Sequence, residues 1–258
     1  MRITSKLFVD EGIRNAFSSE RLLRAYFLMA AVLSIVLFFW WPTGSIAFDI
    51  PSGGGPRTFP SVAIALCFCC AYIGARSGAE DYSPPTRAHL REYVRMTPVS
   101  LPVLVAGKAA FAALHTLFLL VLGAPFLLAS LAVSGVAVGR ALGSLLVVGA
   151  FSLALRMAGL FLLALLGARR LFRDVILIAL GVLCLAATLP FVPAANPLSA
   201  ITGLSAAGPP PTAIFFGLAI PIFLVSVIID LLAAFAFAVG AFASLAAARS
   251  GERGEKTG

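Results

Sequence analysis

Charged side chains are scarce in this chain. Asp, Glu, Lys and Arg together make up 12% of 258 residues, while 60% are hydrophobic. An ordinary soluble domain carries about twice that share of charge. Too few polar side chains exist to cover an aqueous surface, so a soluble domain is excluded and an integral membrane protein is indicated. Acidic residues are rarer still, 11 in all, and histidine occurs only twice, at His89 and His115. No HExxH spacing occurs, and Asp230 is the only carboxylate deep in an apolar run, so neither metalloprotease nor paired-carboxylate chemistry has its residues. A lone intramembrane histidine such as His115 reads as a hydrogen-bonding group between helices.

Cysteine is also sparse. Three of the four lie in CFCC, residues 67–70, and the fourth is Cys184. Cys67 and Cys70 share a helix face, but no His or acidic residue accompanies them. They read as small apolar side chains, with neither a metal site nor a disulfide framework. The glycine run SGGGPRT, residues 52–58, lacks the lysine of a phosphate-cradling loop and reads as an exterior turn. No other segment could house a nucleotide domain. No enzymatic activity and no bound cofactor are expected of this chain.

What the chain does have is long apolar runs, each judged against the roughly 20 residues of one helical crossing. The first runs from Arg24 to Pro42, with Trp40 and Trp41 at headgroup level; the second runs from about Pro60 to Ala75. A third is uncharged between Lys108 and Arg140, with Pro125 as a kink or break, and a fourth runs from about Ala141 to Gly167 and contains Arg156. Val175–Ile229 has no charge at all, too long for one crossing, and is interrupted by LPFVPAANP and GPPP. A fifth helix to about Leu189, an irregular return and a long sixth helix from about Thr212 to Ala248 follow. The expected fold is all-α with six spans in one domain: a leader over 1–23, a membrane domain over 24–248 and a tail over 249–258.

All of the 19 Lys and Arg except Arg57, Arg140 and Arg156 fall on one side of these spans. That bias places both termini in the cytoplasm. It also explains the net charge of +8 by topology and lipid headgroups, with no nucleic-acid partner. Val9, Ile13 and Phe17 give the leader a weak apolar face suited to the headgroup plane. The first span does not read as a cleaved signal, because its leader carries Asp10, Glu11 and Glu20 and WWP follows it.

The stretch REYVRMTPVSLPVLVAGK, residues 91–108, is a compact polar element between two spans. A short helix over about Arg87–Met96 can start after Ser83 and its two prolines, with Pro98 as a stop and Ser100 or Pro102 opening the next span. Leu90, Tyr93 and Val94 would form an apolar face, with Arg87, Arg91 and Arg95 on another. The residues alone allow either a lever that presses on a partner or a plain basic loop. Arg156 and Asp230, the costliest residues in the spans, could form one pair between the fourth and sixth spans or act as two separate groups.

Glu92-Tyr93, Thr97-Pro98-Val99-Ser100 and Gly107-Lys108 resemble the loop between the second and third helices of ABC-2 type transporter permeases. Asn196-Pro197-Leu198-Ser199-Ala200 is similar to the Asn-Pro motif of that family's re-entrant segment between helices five and six. His89 and Leu90 stand where the family has glycine-threonine, and Arg95 where an apolar residue is usual. The resemblance implies the membrane subunit of an ABC transporter, an exporter in a bacterial inner membrane, paired with a similar permease as a homodimer or heterodimer. ATP and Mg would be bound by a separate ATPase. That ATPase would dock on a coupling element containing Arg87, Leu90, Arg91, Glu92, Tyr93, Val94, Arg95, Thr97 and Pro98. Arg156, Asp230 and His115 are the expected path or helix-tie residues, and Asn196 and Pro197 mark the outer segment.

Overall fold

The computed structural model describes residues 5–41, 57–79, 90, 94, 100–166, 175–177, 179–181, 193–206, 208–215 and 218–255. They are mostly helical. A leader helix α1 (Ser5–Ser18) is followed by α2 (Glu20–Phe39), α3 (Thr58–Ala79), α4 (Leu101–Ser134) and α5 (Val138–Leu166). A 3-10 turn (Pro193–Ala195) and short α6 (Pro197–Ser205) lead to strands β1 (Thr212–Phe215) and β2 (Leu218–Pro221), then to α7 (Ile222–Glu255). Five of these, α2, α3, α4, α5 and α7, are long and apolar enough to cross a bilayer, as in an integral membrane protein. The expected fifth span, to about Leu189, lies largely outside the described residues; 175–177 and 179–181 are helical.

α3, α5 and α7 run one way and α4 the other. Cys70 and Gly74 meet Ser152 while Gly78 meets Arg156, which makes α3 and α5 parallel. Gly143 lies by Phe223 and Gly240 by Phe161, which does the same for α5 and α7. Trp40, closing α2, accepts a 2.7 Å hydrogen bond from Thr58 at the start of α3. We call the end where α2 and α4 begin the near end, and the other the far end. At 34 residues, α4 and α7 are each about 51 Å long, well beyond a hydrocarbon core of about 30 Å.

α4 opens with Ser100 extended at its N-cap and Pro102 in the first turn, where a missing N–H costs nothing. It continues through Pro125, so of the expected kink or break there, a break is absent. Gly135 closes it with φ 67°, a left-handed position that glycine takes without strain, and its N–H donates to Leu131 O. The first span starts at Glu20, earlier than expected, because Ser19 interrupts the helix. The leader does not use its expected face alone. Gly12 and Ala16 are buried, a Cβ on Gly12 would come within 2.5 Å of the Phe111 ring, and Phe17 meets Phe118 edge-on at 5.3 Å.

The expected helix from Thr212 is corrected. Residues 212–215 and 218–221 form an antiparallel hairpin, with Thr212 opposite Pro221 and Phe215 opposite Leu218. Two residues separate the strands, the commonest hairpin spacing, and Thr, Ile and Phe favour extended backbone. The base is closed by Ile222 N–H donating to Pro211 O at 2.9 Å, and only then does α7 start.

Candidate functional site

Two of the residues expected to couple the chain to a partner are described. Leu90 and Val94 are both helical and one turn apart, with 8% and 1% of their surface exposed. They join an apolar cluster with Leu101 and Leu104 of α4, Leu160 and Leu163 of α5, and Ala241 and Leu245 of α7. The segment is therefore anchored on the near ends of three long helices. Arg87, Arg91, Glu92, Tyr93, Arg95, Thr97 and Pro98 lie outside the described residues.

Above that cluster, a polar chain crosses between helices. Arg156 of α5 and His115 of α4 are each only 3% exposed and are hydrogen-bonded through Arg156 Nη1 and His115 Nδ1. On its other side His115 Nε2 meets the Tyr26 hydroxyl of α2 at 2.6 Å. Guanidinium has donors only, so Nδ1 has to accept. The imidazole is consequently the neutral Nε2–H form, donating to Tyr26 Oη and leaving the phenol hydrogen for another acceptor. Phe111, His115 and Phe118 lie at i, i+4 and i+7 on α4, and their rings are nearly coplanar in orientation, tilted 12° and 10° from His115. The Arg156 guanidinium carbon sits 4.7 Å from the Phe111 ring centre, which adds cation–π attraction.

Small residues make this layer reachable. GARSG, residues 74–78, spaces Gly74 and Gly78 four apart, as in helix pairs that approach closely. A Cβ on Gly74 would lie 2.9 Å from Ser152 Oγ and 3.0 Å from the Ser152 carbonyl oxygen; one on Gly78 would overlap the Arg156 carbonyl. Ser152 Oγ donates to Cys70 O at 2.9 Å, so α3 and α5 are joined by a hydrogen bond one turn above the glycines. The spacing is visible in the sequence, but it does not say which helix fills the gap. Tyr26 had no such signal, since a tyrosine in the first turns of a span reads as a headgroup anchor.

Arg156 and Asp230 do not pair. Asp230 makes no ion pair among the described residues, and its Oδ2, in a residue only 7% exposed, has no hydrogen-bond partner. Geometry explains this. The α5 surface that meets α7 includes Gly143 and Phe161, and Phe161 is about 140° around the helix from Arg156. Asp230 lies between Phe223 and Gly240 in α7, level with the middle of that interval and about 9 Å toward the far end from Arg156. The helix tie expected of Arg156 is made instead with His115.

At the far end, Asn196 is fully buried as the N-cap of α6, its Oδ1 accepting from Leu198 N–H at 2.8 Å and Ser199 N–H at 3.3 Å. Pro197 occupies the first helical position, which suits its fixed φ. Arg140 donates to Ala206 O at 2.6 Å and to Gly208 O, holding the carbonyl end of α6. Leu204 packs where Gly143 leaves room, so α6 rests against the start of α5. Cys67, Cys69 and Cys70 are free thiols, and among the described residues no group of His, Cys, Asp and Glu could hold a metal.

No protein-family model, curated protein or solved structure matches this chain.

Proposed function

We propose that this chain is the membrane-spanning permease subunit of an ABC transporter of the ABC-2 type, an exporter of a bacterial inner membrane with both termini in the cytoplasm. The reading rests on the loop and Asn-Pro motifs. One structural observation favours it: Leu90 and Val94 seat the candidate coupling segment on the near ends of α4, α5 and α7. A push on that segment would reach three long helices at once, which a plain connecting loop does not need. The partner that pushes is a separate ATPase, which binds ATP and Mg and is driven through its own hydrolysis cycle. Two permease chains, alike or similar, would enclose the path, and helices α4, α5 and α7 would gate it.

Six spans belong to this reading. α5 ends at Leu166, at the near end, whereas α6 rests on Gly143 and Arg140, at the far end. α5 is 29 residues long, about 43 Å, so the connection 167–192 has to return over that length. That supports one more crossing.

Co-purification from native membranes in mild detergent tests the proposal. The intact chain should bring down a subunit with Walker motifs, and a Glu92→Lys, Tyr93→Ala chain that still inserts should lose it. A well-solubilised intact chain that recovers no ATPase would sink the transporter reading and leave an assembly or anchoring subunit.

A further inference from the structure

Ser226 and Asp230 of α7 lie one turn apart on its buried stripe, which continues through Ala234, Ala241 and Leu245. Ser226 is fully buried. Its Oγ and the Asp230 Oδ2 both lack a hydrogen-bond partner among the described residues. Ser144 of α5, 1% exposed, carries a third such hydroxyl. It sits beside Gly143, whose position faces Phe223, one turn before Ser226. Ser226 Oγ and Asp230 Oδ2 are thus two unpartnered oxygens one turn apart on one helix face, with Ser144 about 9 Å along the bundle from Asp230 toward the far end. Each such atom costs about 1–3 kcal/mol when left without a partner, and an isolated carboxylate costs more.

We propose that Ser226 and Asp230 bind a hard monovalent cation of the sodium class within the helix bundle. Residues four apart on a helix hold their Cβ atoms about 5–6 Å from one another, close enough for both oxygens to reach a single ion. Both groups are oxygen donors, the kind that suits hard cations. A single carboxylate balances one positive charge and gives a neutral complex, the form that apolar surroundings tolerate best. A divalent ion would leave a net charge buried there. The site stands apart from the Tyr26–His115–Arg156 layer, and it does not depend on the transporter reading, since no partner enters it.

Binding of radiolabelled sodium to the purified full-length chain in nanodiscs tests this, with choline chloride holding ionic strength constant. Saturable binding should be competed by unlabelled sodium and not by choline. Asp230→Asn should abolish it, and Ser226→Ala should weaken it by about tenfold. Thr116→Val, which removes a buried unpartnered hydroxyl on α4, should leave it unchanged. Sodium should also raise the thermal midpoint of the wild-type chain, a shift that Asp230→Asn abolishes. Should Asp230→Asn fail to fold, Ser226→Ala carries the same comparison. No saturable binding by a monodisperse wild-type chain, or binding untouched by these substitutions, would overturn the proposal and leave hydration as the only role of these oxygens.

Discussion

At the scale of single residues, His115 is the joint of the near-end layer. Its two nitrogens serve different helices: Nδ1 accepts from Arg156 on α5, and Nε2–H donates to Tyr26 on α2. Removing either end of this chain should therefore cost unequal amounts. Tyr26→Phe deletes one neutral hydrogen bond and keeps the ring against Phe118, so a loss of about 0.5–1.5 kcal/mol is expected. His115→Leu strips a partner from a buried guanidinium and should cost more, about 1–3 kcal/mol. Unfolding midpoints in detergent would measure both. An equal loss in the two variants would show that the Arg156 bond contributes nothing beyond packing. His115 was legible from the sequence as an interhelical hydrogen-bond former. Its partners were not, because hydropathy carries no information about which helix faces which.

At the scale of elements, α3 approaches α5 closely through glycines whose missing Cβ lets backbone meet backbone. Gly78→Ala should destabilise the chain by about 1–3 kcal/mol, since the added methyl meets the Arg156 carbonyl and backbone cannot step aside as a side chain can. Gly139→Ala is the matched control. It adds a methyl near the start of α5 with open space around it, and should be neutral or stabilising by about 0.4–1 kcal/mol. A neutral or stabilising effect at both positions in thermal melts would mean that helix propensity, and not the α3–α5 contact, dominates. The strand pair 212–221 belongs to this scale too. Its residues are apolar on both faces, so neither a period of two nor one of 3.6 stands out, and a helix was the natural expectation for an uncharged run.

At the scale of the whole molecule, α4 and α7 outreach a bilayer's hydrocarbon core, and their near-end turns hold the segment containing Leu90 and Val94. The far end is held differently, by Asn196 capping α6 and Arg140 gripping its carbonyl terminus. The path of the chain between these ends gives a direct check on the proposed six-span topology. Reporter domains inserted after Arg169 and after Pro209 should map to opposite sides of the membrane, with the first on the side of both termini. Reporters on one side would remove the sixth crossing and require the inside-positive orientation to be redrawn.

Composition alone determined that this is an apolar helical protein, and run length and charge placement determined where most of its long helices lie. Those properties sum over many residues, so local errors average out. Ser100 and Pro102 marked the start of α4 because caps and missing N–H groups act within one turn. The tertiary structure decided the pairings. Arg156 meets His115 and not Asp230 because angle around α5 and depth along α7 separate them, and both quantities depend on which faces pack. Gly74 and Gly78 acquired meaning only when α3 lay against α5, and the 212–221 run became a hairpin only through partners across the strand. In a chain this uniformly apolar, one-dimensional pattern says that helices pack; shape and the few polar atoms say how.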